Sequence, residues 1–186
     1  MLAYREERIS NAIGFFVAEH HKKTKEYPYQ TSIWKYLAFF EFRHLAKYGD
    51  MPLGLEYRAM EHGPVPIELY SDVAVLHSDS FRTVSEDGTR YQFISIGKPC
   101  MDYFSQDEID EMNNLILFFA QKWVTTRIMS DASHNDIIPW RKTWREKPNA
   151  MIDPELQFSG IQTKPYDKLT PQEEHYLMWR SLSTIA

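Results

Sequence analysis

Between positions 33 and 48 most residues are hydrophobic, among them Ile33, Trp34, Tyr36, Leu37, Phe39, Phe40, Phe42, Leu45 and Tyr48. At 3.6 residues per turn these side chains surround the cylinder, and a helix apolar on all sides belongs in a core. Thr31 or Ser32 is expected to cap its start, and Gly49 to end it in the left-handed conformation. Upstream, Ile9, Ile13, Phe16 and Val17 recur at helical spacing and predict an amphipathic helix over about 6–22. Pro28 biases Tyr27 away from helix, so residues 26–30 read as a linker.

Downstream the pattern shortens. Residues 55–60 read as a strand. Gly63-Pro64-Val65-Pro66 then predicts a turn that opens a helix over about 66–77, with Leu69, Val73 and Leu76 inward. Segments 81–85 and 90–96 flank Glu86-Asp87-Gly88-Thr89, a strong hairpin signal. Ser105-Gln106-Asp107-Glu108 is a capping box, and Ile109, Met112, Ile116, Phe119 and Trp123 follow it at helical spacing. Thr125 or Thr126 starts a short helix to about 134, and Trp140 begins or precedes another to about 146. Past Lys147 the periodicity fades, and 148–169 reads as an extended arm with three prolines. Thr170-Pro171-Gln172-Glu173 is a second capping box, before a last helix carrying Tyr176, Leu177, Trp179 and Leu182. Because an exposed Trp/Leu face is uncommon in monomers, this helix is expected to pack on its own domain.

These elements predict a mainly α protein with a small antiparallel β-hairpin (α+β). The expected organisation is a compact helical domain over 1–147 and a C-terminal arm with an amphipathic helix over 148–186. The order helix, helix, strand, helix, hairpin is winged-helix-like, which would place Arg82 and Arg90 on the wing.

Composition and charge narrow the function. A chain of 186 residues with 43% hydrophobic and 15% aromatic content can fill one core. The formal charge of −5 is uneven. Residues 1–48 hold eight Lys/Arg against five Asp/Glu, 49–124 five against thirteen, and 125–186 eight of each. An acidic middle repels phosphate and disfavours nucleic acid. The predicted helix over 66–77 carries Glu68 and Asp72 and no Lys or Arg, which suits a DNA recognition helix poorly. A single cysteine, Cys100, fits a reducing compartment. With no apolar signal core over 1–8 and no run long enough to span a bilayer, a soluble cytoplasmic protein without a membrane role is expected.

Catalytic signatures are missing. The histidines show no metal-ligand spacing, and no zinc ribbon can be built on one cysteine. There is no Gly-x-Ser-x-Gly elbow, no Walker lysine and no Gly-x-Gly-x-x-Gly. Acidic residues at 107–111 complement a helix N-terminus. The reading is a non-enzyme with no catalytic residue, metal or cofactor.

Three segments carry a resemblance. The first is Trp34-Lys35-Tyr36-Leu37-Ala38-Phe39 with Phe42, His44-Leu45 and Lys47-Tyr48-Gly49. The second is Leu53-Gly54-Leu55-Glu56-Tyr57-Arg58-Ala59-Met60, followed by Gly63-Pro64-Val65-Pro66 and Tyr70. The third is Ser133-His134 followed by Trp140-Arg141. In this order the set resembles the Panacea domain of the antitoxin SocA-like family, across about 30–145. Phe39-Phe40-Glu41 departs from the family's tyrosine-centred wording, and nothing beyond Lys147 matches it. The resemblance implies a phage-associated or bacterial antitoxin that binds and neutralises a protein toxin, in the SocA type also delivering it to a protease. Candidate partner-binding residues are Gly63, Pro64, Val65, Pro66, Tyr70, His134 and Trp140. Each has a structural alternative: a helix-start turn for 63–66, burial for Trp140, a helix-end hydrogen bond for His134. The rival functions are a winged-helix-like DNA-binding regulator, a phage-associated protein of another role, and a hydrolase with a pocket joining His134 to a buried carboxylate.

Overall fold

In the computed structural model, which describes residues 3–184, the apolar helix α2 (Gln30–Tyr48) lies at the centre. Residues 1–2 and 185–186, the outermost ends of the two expected segments, lie outside the described residues. The elements that surround α2 are α1 (Arg5–Thr24), α4 (Gln106–Phe119), α5 (Thr126–Asp136), α7 (Pro171–Thr184) and a hairpin of β1 (Tyr57–Met60) and β2 (Gly63–Pro66). A five-residue helix α3 (Ile67–Ser71), a second hairpin of β3 (Phe81–Val84) and β4 (Gln92–Ser95), and α6 (Ile138–Glu146) complete the fold. Helix makes up 56% of it, beside two small antiparallel sheets, so the mainly α, α+β expectation holds.

Aromatic rings fill the space around α2. Phe16 of α1 stacks on Tyr36 at 4.8 Å, and Phe39 on Phe119 of α4 at the same separation. Trp34 meets Phe93 of β4 edge-on at 5.6 Å, and Phe42 tilts against Tyr57 at 5.2 Å. Such pairs add directional preference to burial that is otherwise only area-driven.

Several predicted boundaries hold. Gly49 ends α2 at φ +94°, and its amide donates to Leu45 O at 2.9 Å. Both capping boxes form: the Ser105 amide donates to Glu108 Oε2 at 2.7 Å, and the Thr170 amide to Glu173 Oε2 at 2.7 Å. Asp87 and Gly88 make the turn of the second hairpin, with Gly88 at φ +73°.

Other boundaries move, each for a visible reason. Neither Thr31 nor Ser32 caps α2. The helix starts at Gln30, whose amide donates to Tyr91 O at 2.8 Å while its Oε1 accepts from the Tyr91 amide at 2.9 Å. The β4 approach thus does the work of a cap. Gly63–Pro66 is a strand and not a helix-opening turn, so the described residues hold two hairpins where one was expected. The helix expected over 66–77 stops at Ser71, because Leu76 O and His77 are drawn to Thr83 and Arg82 beside β3. Trp123 lies beyond the end of α4 and is 70% exposed, not part of its inner face. The stretch 148–169 is not simply extended: it forms three 3-10 turns and buries Ile152 and Ile161.

Register explains how two prolines fit in β2. The pairing sets Pro64 opposite Ala59 and Pro66 opposite Tyr57. Ala59 and Tyr57 turn their backbone groups the other way, to Ala150 O, Asn149 N and Ile152 N. At those positions β2 owes β1 no donor, so proline costs the ladder nothing. The same register turns the Pro64 carbonyl away from β1.

Glu41, fully buried on α2, binds the chain that leads into β1. Its carboxylate accepts from the Leu53 amide and, at 3.2 Å, from the Leu55 amide. Burial pushes this carboxyl up to about 8, while the amides of Leu53, Leu55 and Gly54 and the Arg5 charge pull it back. Glu41→Ala is expected to lower the unfolding free energy by about 3 kcal/mol, because two buried amides lose their acceptor and a cavity opens. Urea titration should show this as a lower midpoint at unchanged slope.

Candidate partner-binding surface

The candidate residues converge on the β1–β2 hairpin. Gly63 begins β2 at φ +103°, a region that favours glycine. A side chain there would run into Ser133 Oγ of α5 and would come within 2.6 Å of Lys35 Nζ of α2. Glycine is needed on both counts. Ser133 is itself held by donating to Ser130 O at 2.7 Å.

Trp140 anchors α6 beneath the same hairpin. It is 4% exposed, and its Nε1 donates to Met60 O at 3.1 Å. His134 stacks on the Trp140 ring at 4.1 Å and nearly parallel, and Trp144 also stacks with Trp140 at 5.7 Å. Burial, with Lys35 and His62 nearby, holds the His134 imidazole below its ordinary pKa. A neutral ring suits this stacked position. Gly63, Pro64, Pro66 and Trp140 are therefore buried, His134 and Val65 are half-buried, and Tyr70 is 45% exposed.

A cleft of about 310 Å³ opens between α2, the hairpin and α3. Trp34 and Lys35 line it from α2, Met60, His62 and Val65 from the hairpin, and Tyr70 from α3. Of the sequence candidates, Val65 and Tyr70 reach this cleft, while Gly63, Pro64, Pro66, His134 and Trp140 lie behind it.

Lys35 was missed as a candidate. It is 1% exposed, and among the described residues its one hydrogen bond runs to the Pro64 carbonyl at 3.4 Å, with no carboxylate in ion-pair range. Burial brings its amine down to about 7. The available signal was a lysine set among the aromatic residues of a helix that has no polar face. Elsewhere the surface carries large apolar side chains, with Leu117, Phe118 and Trp123 exposed around the end of α4.

The surface offers poor chemistry for a DNA groove. α3 has five residues, no Lys or Arg, and a Glu68 already paired with Arg5. Arg90 on the second hairpin lies over the Tyr29 ring at 4.6 Å. Among the described residues no helix is long and apolar enough to cross a membrane.

The fold is thus an aromatic helical core with a hairpin braced from two sides and a cleft beside it. Residues 33–141, more than half of the chain, match the family model of the antitoxin SocA-like Panacea domain, and the chain belongs to that family. No curated protein and no solved structure matches the chain.

Two substitutions test this arrangement. Gly63→Ala is expected to cost about 3 kcal/mol of stability, from backbone strain and the collision with Ser133, measured by urea unfolding. Lys35→Met is expected to raise stability at pH 7 by about 1–2 kcal/mol, since an amine without a counter-charge leaves the interior. The sign follows from linkage: between about 7 and its ordinary 10.5, the unfolded chain holds a proton that the folded chain has lost. Wild-type stability should therefore rise with pH across that window, and the Lys35→Met profile should be flatter there.

Proposed function

We propose that this protein is a non-catalytic antitoxin that binds a partner toxin directly and neutralises it, acting also as an adaptor that presents the toxin to a protease. The observation that carries this reading is the family match over 33–141. Two surface features support it. The cleft combines apolar walls with polar groups behind them, which suits recognition of a protein segment better than a flat polar face would. The exposed Phe118 and Trp123 add aromatic area of the kind that dominates interface energies.

Within this reading the candidate residues divide by position. Val65 and Tyr70 touch the partner. Gly63, Pro64, Pro66, His134 and Trp140 hold the hairpin in the shape the partner meets. The protein would operate in the cytoplasm, where its toxin is made.

The test is co-expression with a toxic neighbouring gene. Growth should be restored, and the two proteins should elute together on gel filtration. Tyr70→Ala should weaken the complex about tenfold without unfolding the chain. A toxic neighbour whose toxicity is unchanged, with no complex formed, would sink the proposal.

A further inference from the structure

The cleft has an electrostatic feature that a plain docking groove lacks. Gln30, Thr31, Trp34 and Lys35 lie on one face of the first turns of α2, and all four line it. This helix N-terminus has no side-chain cap and no acidic residue in its first turn. The Gln30 amide is taken by Tyr91 O and the Ser32 and Ile33 amides by Tyr29 O, so this helix end contributes a positive potential beside the cleft, which no acid of its first turn offsets, and not free donors. One turn further in stands Lys35, buried and, among the described residues, without a carboxylate partner and held by one long hydrogen bond to Pro64 O. Trp34 supplies a second buried donor, since its Nε1 has no hydrogen-bond partner. A buried donor without an acceptor is rare in folded proteins, and the Trp34 indole N–H is one, beside an amine that is weakly held.

We propose that this cleft binds a carboxylate of the partner protein, with the Lys35 ammonium as its counter-ion and the N-terminal turn of α2 as its second source of positive potential. The carboxylate is assigned to a protein because the inference rests on the antitoxin reading. Trp34, Met60, Val65 and Tyr70 line the same cleft, so the acidic group comes from a segment with apolar neighbours. A polyanion fits less well: Glu61 also lines the cleft, and residues 49–124 carry a net negative charge. A single carboxylate meets one amine, while a phosphate chain would also meet those acids. The amine is already desolvated in the folded protein, so an arriving carboxylate gains a strong, weakly screened contact.

The carboxylate can belong to an Asp or Glu side chain or to a chain terminus. Peptide probes separate the two: N-acetyl-Gly-Glu-amide has only the side-chain group, N-acetyl-Gly-Gly only the terminal one, and N-acetyl-Gly-Gln-amide neither. The readout is the NMR shift of the Trp34 indole N–H and the Lys35 Cε in the full chain. At least one acidic probe should give saturable shifts at both resonances, the amide control should give none, and Lys35→Met should abolish the Trp34 response. Lys35→Met is expected to fold, and Lys35→Arg, which keeps the charge, should retain part of the response. Absence of saturable shifts with every probe, or an unchanged Trp34 response in Lys35→Met, overturns the inference.

The toxin complex gives an independent arm. Lys35→Met should weaken it at least tenfold. If the wild-type chain neutralises its toxin and Lys35→Met binds as tightly, the carboxylate site is overturned and the antitoxin reading stands. If the acidic probes bind through Lys35 while no toxin is neutralised, the site stands and the antitoxin reading falls.

Discussion

A helix buried on nearly every side over its central turns must settle the ionisable side chains of those turns inside the protein. In α2 these include Lys35 and Glu41, and the architecture answers them differently. Glu41 receives backbone amides from the 53–55 segment, and that contact leads the chain into β1. Lys35 receives a single proline carbonyl, presented by a strand whose register has turned it away from the ladder. Burying polar groups costs several kcal/mol unless partners are supplied, so each charge dictates what must pack beside it. The first hairpin sits where it does because both ends of this demand lie on α2.

Helix legibility followed how local each signal was. The capping boxes at Ser105 and Thr170, the left-handed Gly49 and the Asp87-Gly88 turn depend on residues a few positions apart, and all were readable. The start of α2 was not, because its partner is the Tyr91 backbone, some sixty residues away. The Gly-Pro-Val-Pro segment misled for a related reason. Proline normally argues against a strand, and only the side-pairing of Tyr57 and Ala59 with 149–152 makes room for it. The apolar spacing that reached Trp123 continued a helical period past the last residue that is helical.

The candidate surface was half legible. Ser133, His134 and Trp140 stood out as a motif, and the fold does bring them against the hairpin. What could not be read was the division of labour, since burial is a property of the assembled molecule. Lys35 shows this best: in sequence it is a flank of an aromatic run, and in space it is a buried amine that lines a cleft. Arg8 is a second example. It donates to Pro52 O, Tyr103 O and Glu108 and so ties α1 to the start of α4, a structural role invisible from its own helix.

The edge of β2 away from β1 is closed to further strands twice over, by burial against α2 and by its own prolines. Proline at 64 and 66 leaves that edge without amide hydrogens at alternate positions, while the other side of the hairpin is already closed by 149–152. An incoming extended chain finds no row of donors to zip onto. The first hairpin therefore stays two-stranded apart from its contact with 149–152, whatever extended segment comes near it.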